Sequence, residues 1–429
     1  MNKTKLISLI DGLRRENSYF KEYFPNVDIT EDNVEEIYES VPVINKAEIQ
    51  MHLRDYITPQ FMPDWDKDKL NDFFMDVTQL SNNHDRSVEC EGKDWRLETT
   101  SGSTGKPFAI LKSRAEKMLE AKRLMKCRKK LNRELAWENC FSLLEPTDSV
   151  ILQSYEKMMC DDELKKIVVH LSEGDYRWIL CSALHLRRIY KCAMENHLEK
   201  KISKIPIQII ETTSQALAQE EKEDMKICFP NAKFISQYGC REVWNLAYQC
   251  PCGGLHINDD YLIIDVVDKN GKIIKDGQIG EVIMTSTIHK SMPFFKYYLG
   301  DRARIHYDKC ECGSEIPRIE LMIGREKQRI IGTELFGNEI FRKVMRYIYF
   351  HHTDIGVEKI KIIQTKEKEF EVYPVIKKED QAIFERYFHE SCKYQLKDYD
   401  KYMIRFIYEY PFKEEPTALK HEIFENYII

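Results

Sequence analysis

Between residues 140 and 237 the chain alternates short apolar runs with stretches of helical periodicity. The apolar runs are SVILQS, KIVVHL and IPIQIIETTS, and SALHLRRIYKCAMENHL is typical of the helical stretches. Strands that alternate with helices in this way build a mainly parallel sheet covered by helices. The pattern therefore predicts an α/β fold for the centre of the chain.

The flanking segments predict other kinds of local structure. Residues 1–90 have mainly helical patterns, and VPVINKAEIQ is a proline-marked start of one helix. RLETTSGSTGKPFAILKS predicts a strand, a turn and a strand, because apolar residues resume directly after Pro107, and a basic helix follows from about Arg114 to Arg133. Residues 259–288 contain a KNGK turn between short strands rich in valine and isoleucine, which indicates an antiparallel hairpin or a small barrel.

The length of the chain predicts more than one domain. Its 429 residues exceed the size, about 250 to 300 residues, at which single cores stop growing. A tail of about 100 residues carries two helix patterns and the strands KIKIIQT and EFEVYPVI, enough for a small α+β domain. We therefore predict a large α/β N-terminal domain of several subdomains, with a small β-barrel-like part, and a small α+β C-terminal domain.

Charge and cysteine content argue against some partners and compartments. The formal net charge of −6 argues against broad electrostatic affinity for nucleic acid or for an anionic membrane surface. Near the N-terminus Leu6, Ile7, Leu9, Ile10 and Leu13 form an amphipathic helical pattern rather than a signal peptide, and no run of about 18 apolar residues follows. Thirteen cysteines, an odd number, indicate reduced thiols and hence the cytoplasm. The sequence leaves the oligomeric state open, a homodimer included.

TTSGSTGKP, residues 99–107, combines two of the 17 glycines with five hydroxyl side chains and Lys106. Hydroxyl and backbone N–H groups beside a lysine can surround phosphate oxygens. The P-loop pattern is absent, because Thr100 stands where it requires a glycine and Pro107 where it requires serine or threonine. Spacing alone leaves a phosphate-binding loop and a flexible turn as alternatives.

QCPCGGLHI and KCECGSEIPRI each contain Cys-x-Cys followed by glycine, and the first also contains a histidine. Thiolates and an imidazole in two such turns suit tetrahedral Zn²⁺. The spacing is Cys-x-Cys rather than the more specific Cys-x-x-Cys. Spacing therefore leaves two alternatives, a structural zinc site and two surface turns with free thiols.

Five segments in order resemble the adenylate-forming superfamily of acyl-CoA synthetases, luciferases and peptide-synthetase adenylation domains. They are VPVINKAEI; TTSGSTGKP; IETTSQAL with FISQYGCREVW; GQIGEVIMTS with MPFFKYYLGDRARI; and IGREKQRIIG. The chain is most similar to the phenylacetate-CoA ligase branch, which includes deazaflavin-coenzyme adenylyltransferases and homologues from capsular-polysaccharide gene sets. IGREKQRIIG resembles the hinge of that branch. Together with the composition, this resemblance places the domain boundary after residue 325. The N-terminal domain, residues 1–325, is expected to bind ATP and the acyl substrate, and residues 326–429 are expected to form the mobile C-terminal lid domain.

The resemblance implies a two-step reaction with ATP and Mg²⁺. A carboxylate attacks the α-phosphate of ATP, pyrophosphate leaves, and the acyl-adenylate is captured by a nucleophile such as the thiol of coenzyme A or of a carrier protein. Negative charge on the phosphate oxygens in the transition state calls for preorganised donors and a cation. The expected partners are accordingly a small-molecule carboxylate and a thiol, without nucleic acid or membrane.

The resemblance also assigns roles to individual residues. Contacts to the β- and γ-phosphates fall to the loop residues Thr100, Ser101, Gly102, Ser103, Thr104, Gly105 and Lys106. Tyr238 and Gly239 are expected against adenine, and Glu242 near Mg²⁺, for which carboxylate oxygens are suitable ligands. Arg241 stands where the family usually has threonine, and it adds a charge beside the α-phosphate.

Four further positions follow from the later segments. Asp301 is expected to accept hydrogen bonds from the ribose hydroxyls, because an ionised carboxylate is only an acceptor. Arg325 is a second ribose or phosphate contact, and Lys327 falls at the pivot between the two half-reactions. Lys420 in EEPTALKHEIF matches the catalytic lysine, although Leu419 replaces the usual glycine before it and the preceding serine is missing.

Some members of the resembled branch also carry cysteine and histidine at matching places. The resemblance implies Cys250, His256, Cys310 and Cys312 as zinc ligands, with Cys252 as an alternative. A closed site of this kind stabilises structure and leaves no open position for catalysis.

The acyl pocket is expected between about residues 135 and 240, where the chain differs most from the resembled branch. Trp178, Phe141, Tyr155 and Trp244 are candidates to line it, although aromatic side chains in an α/β core more often pack. Three functions stay open: a carboxylate-activating ligase, an adenylyltransferase with a non-carboxylate acceptor, and a zinc-bearing binding protein with a vestigial nucleotide site.

Overall fold

The structure is a computed structural model. It describes residues 3–61, 88–89, 95–99, 109–143, 161–213, 217, 219–275, 277–322, 329–333, 335, 337–351, 355, 357–409, 411 and 424–426.

The described helices span most of the N-terminal segment and alternate with strands further on. They are α1 (Lys3–Glu16), α2 (Val34–Ser40), α3 (Lys46–Met51), α4 (Leu53–Tyr56), α5 (Arg114–Leu131), α6 (Asp161–Glu173), α7 (Ala183–Glu195), α8 (Glu199–Ile202), α9 (Gln219–Met225), α10 (Gly337–His351) and α11 (Gln381–Gln395). Short 3₁₀ turns occur at Phe20–Glu22, Pro59–Phe61, Trp137–Asn139, Lys378–Asp380 and Tyr399–Lys401.

The described strands form three sheets. They are β1 (Val88–Glu89), β2 (Trp95–Thr99), β3 (Ala109–Ser113), β4 (Cys140–Ser142), β5 (Trp178–Ser182), β6 (Ile209–Thr213), β7 (Lys233–Tyr238), β8 (Ala247–Gln249), β9 (Leu255–Ile257), β10 (Leu262–Val267), β11 (Ile273–Ile274), β12 (Gly280–Ser286), β13 (Tyr297–His306), β14 (Arg318–Met322), β15 (Val357–Lys366), β16 (Glu369–Ile376), β17 (Met403–Phe406) and β18 (Phe424–Asn426).

The chain divides into two compact units. The first contains the described residues of 1–299 and 304–320, and the second those of 300–303, 321–414 and 421–429. No described helix has the length and low charge that crossing a bilayer requires.

The central sheet of the first unit has eleven strands in the order β11-β10-β12-β13-β14-β9-β8-β7-β6-β5-β4. Strands β4 to β7 pair in parallel, whereas β7, β8 and β9 pair antiparallel. The expected α/β fold is confirmed. In open α/β sheets ligands bind beyond the carboxyl ends of the parallel strands, so the residues after Ser142, Ser182, Thr213 and Tyr238 are where a site is expected.

The prediction that KIVVHL forms a strand is wrong. KIVVHL lies inside α6 rather than in a strand, because Leu164, Ile167, Val168 and Leu171 follow the helical spacing and are buried along one face. SALHLRRIYKCAMENHL contains α7 as predicted, and Ser182 caps it by accepting a hydrogen bond from the backbone N–H of residue 185 at 3.1 Å. SVILQS lies outside the described residues.

A buried ion pair joins helix α5 to the parallel strands. Arg128 donates twice to the Glu211 carboxylate, at 2.8 and 2.9 Å, and the Tyr248 hydroxyl donates to the same carboxylate at 2.7 Å. The guanidinium also lies over the rings of Trp137 and Trp178, 5.1 and 5.0 Å from their centroids. Arg128 is therefore both charge-paired and packed on aromatic faces inside the core.

The other local expectations are confirmed where the structure describes them. In α1 Leu6, Ile10 and Leu13 are buried, and Asn45 caps α3. Strands β2 and β3 form an antiparallel hairpin in which Thr99 pairs with Ala109. Strands β10, β11 and β12 form the expected antiparallel pairs and continue the central sheet.

The second unit is the small α+β fold that the tail predicts. Its sheet has the order β17-β16-β15-β18, and α10 and α11 pack together. Phe341, Phe370, Phe384, Phe388 and Phe424 belong to one buried cluster between these elements. This aromatic core is the basis of a separately packed unit.

Candidate functional site

The residues after β7 form a tight turn, Gly239–Trp244, called here the 239–244 turn. Tyr238 is the buried last residue of β7, and a Cβ added to Gly239 would lie 1.8 Å from the carbonyl oxygen of Trp244. Only glycine leaves room for this approach of two backbone segments. The turn lies beyond the carboxyl end of a parallel strand, where α/β sheets bind ligands.

Glu242 is a buried carboxylate within this turn. Its side chain accepts a hydrogen bond from the Tyr297 hydroxyl at 2.9 Å, and the residue is 7% exposed. Burial and the nearby Glu242 charge raise the pKa values of both Tyr297 and Cys240, so both groups stay protonated. Glu242 therefore has one carboxylate oxygen fixed by a neutral donor from β13.

Lys112 of β3 lies at the centre of a buried charge network. Its ammonium donates to Glu120 at 2.9 and 3.1 Å and to the backbone carbonyl of Arg241 at 2.9 Å, and the side chain has no exposed surface. Glu120 also contacts His289, whose Nε2 lies 3.0 Å from the carboxylate. Burial would lower the pKa of Lys112, but the Glu120 and Glu98 carboxylates raise it, so the amine stays charged.

Glu98 of β2 is the second carboxylate of this network. It lies 3.6 Å from the Lys112 ammonium, pairs with Lys117, and accepts a hydrogen bond from Trp244 Nε1 at 3.3 Å. Burial would raise the pKa of Glu98, but Lys112, Lys117 and Arg241 lower it to about 2. Glu98 therefore balances positive charge both on its own hairpin and in the 239–244 turn.

Trp244 has strained backbone geometry. Its φ of 54° is in the left-handed region, which a bulky side chain rarely adopts. The ammonium groups of Lys117 and Lys112 lie 5.2 and 5.7 Å from its ring centroid, and its indole N–H is bonded to Glu98. Such strain persists only where surrounding contacts enforce it, and it is concentrated at functional sites.

Several predicted site residues lie outside the described residues, and their roles stay predictions. They are Thr100, Ser101, Gly102, Ser103, Thr104, Gly105, Lys106, Tyr155, Arg325, Lys327 and Lys420. The structure does describe the two strands, β2 and β3, that the first seven of these connect. Asp301 is a half-buried residue of β13 and follows Gly300, whose φ is 75°.

Two of the candidate pocket aromatics pack in the core. Trp178 has no exposed surface, donates from Nε1 to the Ala136 carbonyl at 2.9 Å, and packs on Trp137. Phe141 is 2% exposed and packs edge-on against Tyr176. These contacts are those of structural side chains.

Four of the predicted metal ligands lie together. The ligand atoms of Cys250, His256, Cys310 and Cys312 are all within 4.8 Å of one another. The Sγ atoms of Cys250 and Cys310 are 3.9 Å apart, and Cys312 Sγ lies 3.3 Å from His256 Nε2. Two thiolates bound tetrahedrally at about 2.3 Å from one Zn²⁺ would be about 3.8 Å apart, so the residues fit this ion.

Cys252 and Glu242 are not members of this cluster. Cys252, which the resemblance gives only as an alternative ligand, is exposed and lies outside the group of four. His256 Nδ1 is 2.8 Å from the Ile316 carbonyl, which can only accept, so Nδ1 carries the proton and Nε2 presents its lone pair to the thiols.

Both Cys-x-Cys-Gly segments fold into the same turn. The Cys250 N–H donates to the Gly254 carbonyl at 2.8 Å, and the Gly253 N–H donates to the Cys250 carbonyl at 2.9 Å. In the second segment the bonds of Cys310 and Gly313 repeat this pattern at 3.0 and 2.8 Å. Gly253 and Gly313 have φ values of 88° and 85°, which favour glycine. The two segments thus present their cysteines from turns of the same geometry.

Sequence reasoning missed Lys112, Glu98, Glu120 and Tyr297. The available signal was a lysine directly after four apolar residues in FAILKS, at a position that faces the same side of the hairpin as Ile110 and Glu98. A charged residue in a buried strand needs partners, and that requirement marks Lys112 as unusual.

Comparison with known proteins gives one sequence match and several structural matches. No family model matches the chain. A stretch of 104 residues is 28% identical to the phenylacetate-coenzyme A ligase of Thermus thermophilus, and it spans 23% of this chain and 23% of that relative.

Several solved structures match nearly the whole chain. A 2-hydroxyisobutyryl-CoA ligase in the postadenylation state, in complex with 2-HIB-AMP, has a TM-score of 0.67 and 14% identity and covers 99% of this chain and 88% of its own. The same kind of ligase with 2-HIB-AMP and CoA in its thioesterification state has a TM-score of 0.57 and 14% identity, with 99% and 89% coverage. The structural likeness and the sequence match together confirm the resemblance predicted from the sequence: the chain has the fold of the adenylate-forming acyl-CoA ligases.

Proposed function

We propose that this protein is an ATP-dependent ligase that activates a carboxylic acid as an acyl-adenylate and then transfers the acyl group to a thiol. In the first step a carboxylate oxygen bonds to the α-phosphorus of ATP, and the bond to the bridging oxygen breaks with release of pyrophosphate. In the second step the sulfur of coenzyme A or of a carrier protein bonds to the acyl carbon, and AMP leaves. The solved ligases of this fold with bound acyl-AMP and CoA support this reaction.

The observation that carries the proposal is the buried carboxylate of Glu242 in the 239–244 turn. It lies beyond the carboxyl end of β7 and is held by Tyr297. The Lys112 ammonium ties the same turn to the hairpin β2–β3, which flanks TTSGSTGKP. A phosphate-binding segment and a carboxylate joined through one network are what a reaction at the α-phosphate of ATP requires.

The resemblance supplies the remaining proposed contacts to ATP. Loop residues 100–106 hold the β- and γ-phosphates; Tyr238 and Gly239 lie against adenine; Arg241 reaches the α-phosphate; and Asp301 and Arg325 bind the ribose. Lys327 is the proposed pivot of the mobile lid, residues 326–429, and Lys420 the catalytic lysine of the first step.

Glu242 is the proposed ligand for Mg²⁺. Its carboxylate is held in place by the Tyr297 hydroxyl, and carboxylate oxygens are suitable ligands for a hard cation. Magnesium would supply charge neutralisation at the phosphate oxygens, and the protein's own part is to hold the carboxylate in one orientation.

We also propose a structural Zn²⁺ held by Cys250, His256, Cys310 and Cys312. The separations of the thiols and the tautomer of His256 support this ligand set. Four protein ligands leave no open coordination position, so the ion would join the two Cys-x-Cys-Gly turns and take no part in the reaction. The reduced thiols that such a site needs agree with the cytoplasm as the proposed compartment.

The test is carboxylate-dependent exchange of labelled pyrophosphate into ATP over a panel of aryl, fatty and amino acids. We expect exchange with at least one acid, and exchange with none would contradict the ligase. Lys420→Ala should lose exchange, whereas Lys366→Ala, which removes a lysine with 73% side-chain exposure, should keep it. Full exchange in Lys420→Ala would reject the assignment of that lysine.

The adenylyltransferase alternative predicts another product. An enzyme of that kind would release pyrophosphate and leave a stable adenylylated product that hydroxylamine does not cleave, whereas an acyl-adenylate gives a hydroxamate. A zinc-bearing binding protein would bind metal but not ATP. Binding of ATP that is lost in Asp301→Ala would exclude that third function.

A further inference from the structure

Lys112 connects three elements that the proposed chemistry needs in fixed positions. Its ammonium belongs to β3, pairs with Glu120 of α5, and donates to the backbone carbonyl of Arg241 in the 239–244 turn. All of these contacts are at hydrogen-bond distance, and the lysine side chain is completely buried.

The number of acceptors around Lys112 matches its donors. An ammonium has three N–H groups, and Lys112 donates to both oxygens of Glu120 and to the Arg241 carbonyl. The Glu98 carboxylate, at 3.6 Å, adds a second ion pair. The two carboxylates offset the cost of burying the charge. The third bond does not serve charge balance, and it fixes the peptide group directly before Glu242.

The same network includes both strands that flank TTSGSTGKP. Glu98 lies on β2 one residue before Thr99, and Lys112 lies on β3 three residues after Ala109, the partner of Thr99. Glu98 also holds the far end of the turn through Trp244 Nε1. Two bonds, one at residue 241 and one at residue 244, thus tie the turn to the hairpin.

We propose that Lys112 is a positioning residue that holds the 239–244 turn against the β2–β3 hairpin and thereby orients the Glu242 carboxylate during adenylation. The inference rests on the proposed function for its catalytic consequence, and on the described contacts for its structural consequence. Lys112 touches no substrate and acts through Arg241 and Glu242.

The test compares Lys112→Met alone with the double variant Lys112→Met/Glu120→Gln. The single variant leaves the buried Glu120 carboxylate without its lysine partner, whereas Glu98 keeps Lys117, and it is expected to be strongly destabilised. The double variant removes the Glu120 charge and should recover most of the melting temperature, while the bond to Arg241 stays absent. Lys126→Met is the matched control, because Lys126 lies on the same helix α5 but is 63% exposed and pairs with Asp260, outside the network of Lys112.

Two readouts separate positioning from stability. Hydrogen–deuterium exchange in the peptide that covers residues 238–246 should be about 10- to 100-fold faster in the double variant, the range expected for one bond from a charged donor. Exchange in α7 should be unchanged. The kcat of pyrophosphate exchange should fall by about the same factor with little change in the KM for the acid.

The outcomes are distinct. Faster local hydrogen exchange with a lower kcat in the double variant, and near wild-type values in Lys126→Met, would support the proposal. Unchanged hydrogen exchange at 238–246, or full recovery of kcat with the melting temperature, would overturn it. Absence of pyrophosphate exchange in the wild type would reject the proposed function instead, and the hydrogen-exchange comparison would still decide the role of Lys112.

Discussion

Substitution of Gly239 by alanine tests the geometry of the 239–244 turn. The added Cβ would lie 1.8 Å from the Trp244 carbonyl oxygen, whereas real Cβ contacts are almost never closer than 3.0 Å. One backbone segment must therefore move by about 1.2 Å, the difference between these distances. The turn carries Glu242, and a displacement of about 1 Å at a reacting centre can reduce a rate by about 100-fold.

The assay is the initial rate of pyrophosphate exchange at saturating acid and ATP, together with the melting temperature. Gly239→Ala should lose about 100-fold in rate and also lose stability. Gly12→Ala is the matched control, because Gly12 lies within α1 with no atom within 4 Å of an added Cβ. This control should keep its rate and gain about 0.5 to 1 kcal/mol of stability. A wild-type rate and an unchanged melting temperature in Gly239→Ala would refute the close approach of the two backbone segments.

Three further predictions concern charge and metal. Cys310→Ser should reduce bound zinc, measured by elemental analysis, to well below one ion per chain and lower the melting temperature, whereas Cys252→Ser should keep the ion because Cys252 lies outside the cluster; equal zinc in both variants would contradict the ligand set. Arg128→Met leaves the fully buried Glu211 carboxylate without its cation and should cost about 3 to 5 kcal/mol in urea unfolding, so a loss below about 1 kcal/mol would be inconsistent with the pair. Glu98 has its pKa lowered from 4.5 to about 2, so its charge stabilises the fold above pH 4.5 and this contribution disappears as the pH falls toward 2. The melting temperatures of wild type and Glu98→Gln should accordingly differ most at neutral pH and converge below pH 4.5, and a constant difference would contradict the shift.

The central fold is predictable because several local patterns agree. Apolar spacing and caps indicate α1, α3 and α7, and a glycine-containing turn between strands indicates the hairpin of β10 and β11. KIVVHL was misassigned because a six-residue window is too short to separate the periods of helix and strand. Only with Leu164 included does the spacing of three and four residues become visible.

The candidate site was predictable only in part. The Cys-x-Cys-Gly turns are local, so the sequence indicates their thiols. The position of His256 beside these thiols depends on the pairing of β8 with β9, which places His256 opposite Tyr248. The role of Lys112 depends on a carbonyl 129 residues further along the chain, and no local pattern carries that information.

The two Cys-x-Cys-Gly turns have a consequence for the stability of the fold. Cys250 and Cys310 are 60 residues apart, and an ion bound to both would close that length of chain as a covalent cross-link does. For a loop of this size the loss of chain entropy in the unfolded state corresponds to about 4 kcal/mol. The four ligands come together only when β9 pairs with β14, where His256 lies opposite Arg318. A bound zinc ion would therefore stabilise this strand pairing as well as the two turns.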